Sequence, residues 1–424
     1  MDKDLRWTAA GSIVGSVLEW YDYVLYGTAS ALVFDKLFFG NVSTSVGTLL
    51  AFATFAIGFL VRPIGGTLFG ALGDRIGRRN VLFITLILMG LATTAIGLLP
   101  TFASIGVWAP ILLVLVRIVQ GIGSGSEYAG AVIVMSESSP IKHRGLYSTF
   151  PYIGVSAGLL LSSVVFAVFQ RMPSDEFMSW GWRIPFLLSM VLVIVGILVR
   201  LRMPESPIYK DLVESGRTVR KPFLDVFKTS GKHIVLAWAV GITDNSFAYF
   251  FQTYMVAYIA HDLHMPTSLT LITLTALGIV QLFTVPGWGA ISDKIGRRPV
   301  LMIGSLCSIL FAFPLFWLLN TRIEIVIVLS IVLASSVFRG AIVAAQASWY
   351  CELFSSNVRY SGFAIGREWS SIFGGLMPVI ASAILLMSGG KTWILSVIII
   401  VFALLTFLAA FFGPENFKKS LSNI

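Results

Sequence analysis

Charge is scarce in this chain. Asp, Glu, Lys and Arg make up 12% of its 424 residues, His occurs four times and Cys twice, whereas 56% of residues are hydrophobic and the mean hydropathy is +0.86. That composition lies far outside the usage of soluble globular domains and excludes a water-soluble fold. Cys307 and Cys351 lack metal-ligand spacing, and two cysteines do not make a disulfide framework, so both read as small apolar fillers. His261 and His264 are three residues apart with only Asp262 beside them, too little for a metal site. No nucleophile constellation, nucleotide-binding loop or extramembrane catalytic domain is present, so neither an enzyme nor a bound cofactor is expected. The net charge of +9 is dispersed through short polar gaps rather than gathered in one domain, which argues against nucleic acid as a partner.

What the chain has in abundance is apolar runs of about 20 residues, the length a bilayer requires of a spanning helix. They predict an all-α integral membrane protein with twelve transmembrane spans, over 9–34, 46–70, 80–100, 108–136, 145–170, 181–202, 232–260, 267–292, 299–319, 323–350, 361–388 and 391–413. The first run is too long and too interrupted by acids for a cleaved signal peptide. One long polar connection, 203–231, contains Lys210, Arg217, Arg220, Lys221 and Lys228 and divides the chain into a six-helix unit 1–202 and a second, 232–424. With the N-terminus inside, 21 of the 30 Lys and Arg residues fall in cytoplasmic segments, which sets both termini in the cytoplasm; the expected location is the inner membrane.

An internal repeat relates the two units. Gly70, Asp74, Gly77, Arg78 and Arg79 recur as Gly289, Asp293, Gly296, Arg297 and Arg298 at an offset of 219, and Glu137 with Arg144 recurs as Glu352 with Arg359 at an offset of 215. Two parallel six-helix repeats with a site between them at mid-membrane is a known transporter architecture.

These stretches carry a resemblance. GALGDRIGRR (Gly70 to Arg79) and its echo GAISDKIGRR (Gly289 to Arg298) resemble the loop signature of the major facilitator superfamily. EWYDYVLYG (Glu19 to Gly27), GFLVRPIGG (Gly58 to Gly66), RIVQG (Arg117 to Gly121), SEYAGA (Ser126 to Ala131) and SWGWRIPF (Ser179 to Phe186) are similar to its metabolite:proton symporter family, with shikimate and dicarboxylate carriers nearest in likeness. The resemblance implies the major facilitator fold, two pseudo-symmetric six-helix bundles, and transport of a small molecule with a proton. Two departures, Gly125-Ser126 before the acid of span four and the lack of a long C-terminal extension, disfavour betaine or proline uptake.

Charged side chains at a helix centre cost roughly 2.5–3.5 kcal/mol on insertion scales, so each marks a candidate site. Glu19 and Asp22 lie mid-span on one face of the first helix, with Tyr23 and Tyr26 a turn on, and Arg117 lies mid-span four with Gln120 on its stripe. An offset of 222 carries Asp22 to Asp244 and Arg117 to Arg339, so each unit can pair its own acid and arginine. Such a pair either struts two helices or switches with a proton. The proton-coupling candidates are Asp22, Glu19, Arg117 and Glu127, the last with a simple helix contact as its alternative. Arg62, Tyr26, Gln120, Asp244, Tyr249, Arg339, Arg367 and Trp369 are the substrate-binding candidates. Asp74 and Asp293 can accept from the N-terminus of a facing helix, while Arg78, Arg79, Arg297 and Arg298 can pair with Glu137 and Glu352, forming an inner gate.

The expected activity is proton-coupled uptake of a small organic acid such as shikimate or a dicarboxylate, by a monomer and by alternating access. A proton-driven efflux antiporter has the same fold, but span five lacks the Gly-Pro element of such antiporters, reading Gly154-Val-Ser-Ala-Gly158. Uptake of a zwitterion such as betaine or proline is the other alternative. Paired mid-membrane charges suit alternating access better than an open channel.

Overall fold

A computed structural model describes residues 3–40, 44–217 and 222–424, and all regular structure among them is helical. Arg220 and Lys221 of the long connection lie outside the described residues, as does the side chain of His261. The twelve long helices are α1 (Lys3–Ala29), α2 (Thr44–Leu60 continuing as Arg62–Ile76), α3 (Arg78–Leu98), α4 (Trp108–Glu137), α5 (Ile141–Phe169), α6 (Arg183–Leu201), α7 (Pro222–Ala260), α8 (Ser268–Ile295), α9 (Arg297–Leu319), α10 (Glu324–Leu353), α11 (Arg359–Met387) and α12 (Trp393–Phe412). Among the described residues, eleven of these are apolar and long enough to cross a membrane. The twelfth, α1, is as long, but carries Glu19 and Asp22 near its middle.

The repeated signature is not a loop. Helix α2 runs on to Ile76 and α3 starts at Arg78, so Gly77 alone makes the corner, at φ 106°. Gly296 does the same between α8 and α9, at φ 102°. Positive φ is open to glycine and strained for other residues, which is why the glycine repeats with the aspartate. The expected linker also differs. Pro207–Glu214 is helical, with the Ser206 hydroxyl accepting from the Tyr209 N–H at its start, and α7 begins at Pro222, ten residues before the expected span, with a kink at Ser230.

Small residues set the closest helix contacts. A Cβ on Gly158 of α5 would lie 2.4 Å from the Val17 carbonyl of α1, and one on Gly65 of α2 would lie 2.0 Å from the Ile122 carbonyl of α4. With no hydrophobic drive between helices in lipid, such close backbone packing supplies the attraction. The two halves meet along α2 with α11 and α5 with α8. Among the irregularities at mid-length, α4 breaks at Ser126, and α10 winds as a wide π-helix over Leu333–Arg339, which delivers Arg339 to the interior.

Candidate functional site

Between the halves lies a small cavity lined by Trp20, Arg62, Tyr152, Asp244, Tyr249, Arg339 and Arg367, among others. Its free volume, about 20 Å³ for the centres of water-sized spheres, holds a water or so and no organic substrate. Nη2 of Arg339 lies 2.8 Å from Oδ1 of Asp244. Nε of Arg339 donates to the Asp244 carbonyl at 3.2 Å and Nη1 to the Tyr152 hydroxyl at 3.1 Å, which ties this pair of the second half to α5 of the first. Arg62 is held from two sides, by Glu19 at 2.8 Å and by Glu368 at 2.7 Å. Glu368 also meets Arg367 at 3.2 Å, and the Arg367 guanidinium sits over the Tyr128 ring, 3.9 Å from its centre. Tyr249 closes one side of the cavity, its ring 5.1 Å from that of Phe59.

Asp22 and Arg117 do not form the expected direct pair. Thr93 of α3 stands between them. Its hydroxyl lies 2.5 Å from Oδ2 of Asp22 and accepts from Nε2 of Gln120 at 2.6 Å, while Oε1 of Gln120 accepts from Nη1 of Arg117 at 2.5 Å. Arg117 turns its guanidinium onto aromatic faces instead, 4.1 Å from the Tyr26 ring centre and 4.9 Å from that of Tyr23. Tyr26 is therefore a platform for Arg117, with its hydroxyl spent on Thr54 at 2.7 Å. The relay can serve two protonation states. Thr93 has one hydroxyl proton and two acceptors for it, Oδ2 of Asp22 and the Met89 carbonyl at 3.0 Å. With Asp22 ionised, Thr93 donates to it; with Asp22 protonated, the acid donates and Thr93 turns to Met89. Among the described residues, none hydrogen-bonds Oδ1 of Asp22.

At the end of the bundle that carries both chain termini, the halves are locked together. Asp74 accepts from the Tyr360 and Ser361 N–H groups at the start of α11, at 3.1 and 2.9 Å. Asp293 accepts from Gly145 and Leu146 near the start of α5, at 2.7 and 3.0 Å. Both aspartates thus sit where a helix N-terminus favours an anion. Arg78 lies 3.5 Å from Glu137, and Arg297 lies 3.1 Å from Glu352. Two crossed pairs complete the lock: Arg359 with Glu137 at 2.7 Å and Arg144 with Glu352 at 3.2 Å, each arginine reaching the acid of the other half.

Two expected roles are corrected by this geometry. Arg79 and Arg298 do not reach Glu137 or Glu352; they donate to carbonyls at the ends of α6 (Leu201) and α12 (Ala410 and Phe411), because the residue after the corner arginine points away from the half interface. Trp369 is 38% exposed on the outer face, donates to Thr67 and lines a groove between α2 and α11 rather than the cavity. It follows Arg367 by two residues, about 200° around a helix, so the two cannot face the same side. Glu127, for which a proton relay and a helix contact stood as alternatives, is bound to Arg200 of α6 and accepts from Thr85 at 2.7 Å.

Thr93, Tyr152 and Arg200 are not among the residues expected from the sequence, and Glu368, which the sequence places beside Arg367 as a candidate for the inner gate, is found on Arg62 at the cavity. Glu205 and Glu415 are likewise not among the expected residues. These accept from the main-chain N–H groups of Arg78 and Arg79, and of Arg297 and Arg298, capping α3 and α9 in the same way. Burial in the connection pushes the Glu205 carboxyl above its ordinary range. A signal existed: each follows a proline at the end of its half, Pro204-Glu205 and Pro414-Glu415.

The profile of the Major Facilitator Superfamily matches residues 13–367 and 238–423. The chain is 36% identical over 415 residues to the shikimate transporter of Escherichia coli K12, covering 97% of this chain and 95% of that protein. It is 34% identical over 430 residues to the glycine betaine/proline/ectoine/pipecolic acid transporter OusA of Dickeya dadantii, covering 99% and 85%. Among solved structures, the proton:xylose symporter XylE bound to 6-bromo-6-deoxy-D-glucose superposes with a TM-score of 0.81 at 20% identity, covering 99% and 98% of the two chains. The inward open conformation of the E. coli xylose transporter XylE gives 0.62 at 21% identity, covering 97% of each.

Proposed function

The chain belongs to the major facilitator superfamily, a multi-pass membrane transporter of small molecules, and from that premise we propose that it takes up a small organic acid together with a proton, by alternating access. The charge balance around the cavity carries this reading. Arg62, Arg117, Arg339 and Arg367 lie in or near the cavity wall with Glu19, Asp22, Asp244 and Glu368, four cations and four acids, all but Arg367 nearly or fully buried. An organic acid is an anion at neutral pH. Entering alone it would leave one uncompensated charge in a dry interior, which costs several kcal/mol. One proton per carboxylate restores neutrality, and Asp22 is placed to take it through the Thr93 switch.

With the termini in the cytoplasm, the locked face is the inner gate. Asp74, Arg78, Glu137, Asp293, Arg297 and Glu352 then hold it shut until the loaded halves rock. The cavity arginines supply the carboxylate seat and Tyr249 a π face. A zwitterion is the second reading: Trp20, Tyr152 and Tyr249 offer aromatic faces to a quaternary ammonium in the same cavity, and OusA is named for such substrates.

The test is uptake of labelled organic acids and of betaine into proteoliposomes, with and without an inward proton gradient. A monocarboxylate should accumulate down the proton gradient and be insensitive to an imposed membrane potential. Proton-driven loss of substrate would make the protein an exporter, and gradient-driven accumulation of betaine alone would replace the acid.

A further inference from the structure

Among the described residues, Glu368 is the only acid at the cavity that is ion-paired to an arginine of the opposite half. Glu19 holds Arg62 within the first half and Asp244 holds Arg339 within the second, but Glu368, on α11, reaches Arg62 on α2. We propose that the Glu368 carboxylate is a built-in substitute for the substrate: in the empty transporter it occupies the seat on Arg62 that a substrate carboxylate takes, and substrate entry displaces it. The inference rests on the organic-acid reading only in requiring a substrate with a carboxylate.

Several features of the seat point this way. One carboxylate, fully buried, bridges two arginines on two helices, Oε2 to Arg62 at 2.7 Å and Oε1 to Arg367 at 3.2 Å. That is how a planar carboxylate ligand sits between guanidinium groups. The close approach is permitted by Gly66 of α2, where a Cβ would lie 2.9 Å from Cβ of Glu368. The cavity has room for a water or so, so a substrate must displace an existing contact. Arg339 has three contacts, two of them from Asp244, whereas Arg62 meets Glu368 through Nε alone.

Once displaced, Glu368 keeps Arg367 as its partner and is not left unpaired. Arg62 keeps Glu19 and gains the substrate. The net result is loss of the Arg62–Glu368 link between the halves, so the binding event itself loosens the interface that has to move.

The experiment is equilibrium binding of labelled organic acids and betaine to the purified full-length protein in detergent, without a proton gradient, backed by ligand-dependent thermal shifts. Glu368→Gln keeps the shape and removes the competing anion, so a carboxylate ligand should bind about tenfold more tightly, a size typical of coupling between two sites. Glu368→Asp, whose shorter side chain holds Arg62 less well, should tighten binding by less and serves if the glutamine variant does not fold. Unchanged or weaker binding in these variants, with the wild type binding normally, overturns the substitute role and leaves the uptake reading intact. A wild type that binds neither acids nor the zwitterion sinks both.

Discussion

The gate can be tested with a reporter the protein already contains. Cys351 on α10 is fully buried in the locked state, next in sequence to Glu352 of the crossed Arg144–Glu352 pair, and its carbonyl accepts from Arg359, the partner of Glu137 in the other half. Opening the gate exposes it to a water-soluble maleimide. In a Cys307→Ser background, Asp74→Asn turns one of two accepting oxygens into an amide N–H₂ and removes the charge facing the α11 N-terminus. A hydrogen bond to a charged group contributes about 1.5–3 kcal/mol. Taking about 2 kcal/mol for the loss, and a factor of ten per 1.4 kcal/mol, the ratio of open to closed states rises about thirtyfold. Labelling of Cys351 should rise by the same factor as long as opening and closing are fast compared with the thiol reaction. Asp293→Asn, which loses an equivalent contact to Gly145 or Leu146, should match it. Substrate affinity should change far less than the transport rate. If labelling stays at the wild-type rate while transport falls, or if binding weakens as much as transport does, the aspartates do not hold the gate.

Asp22→Asn should abolish accumulation driven by an inward proton gradient while leaving substrate counterflow, and Thr93→Val should reduce gradient-driven accumulation with Thr93→Ser restoring it. Undiminished accumulation in the Asp22 variant would move the proton to Glu19. Neutralising Asp244 or Arg339 singly should each cost about 3–5 kcal/mol in thermal unfolding, because an unpaired charge stays buried, and the double neutral variant should cost clearly less than the sum; strict additivity would refute their coupling. Gly65→Ala forces a Cβ to within 2.0 Å of the Ile122 carbonyl and should cost about 1–3 kcal/mol, whereas Gly287→Ala, with nothing within 4 Å, should be neutral in the same assay.

Much of this protein is determined by local rules. Apolar run length specifies the spans, because a bilayer demands some 20 residues of helix whatever surrounds them. The offsets between Asp74 and Asp293, and between Asp22 and Asp244, specify depth, because rise per residue is constant along a helix. Which side of a helix a residue shows, and to which neighbour, depends on rotation and packing, and there the tertiary structure decided. Thr93 of α3, with Gln120, came between Asp22 and Arg117, which the repeat alone had matched as a pair. Arg62, whose counterpart at the offset of 219 is the uncharged Gln281, found its second partner in Glu368, 306 residues away in the other half. Trp369 and Arg367 share a segment and a depth but face opposite sides, one toward the outer groove and one toward the cavity. Depth is written along one helix, whereas a site between two six-helix bundles is made by their docking, which no single helix encodes.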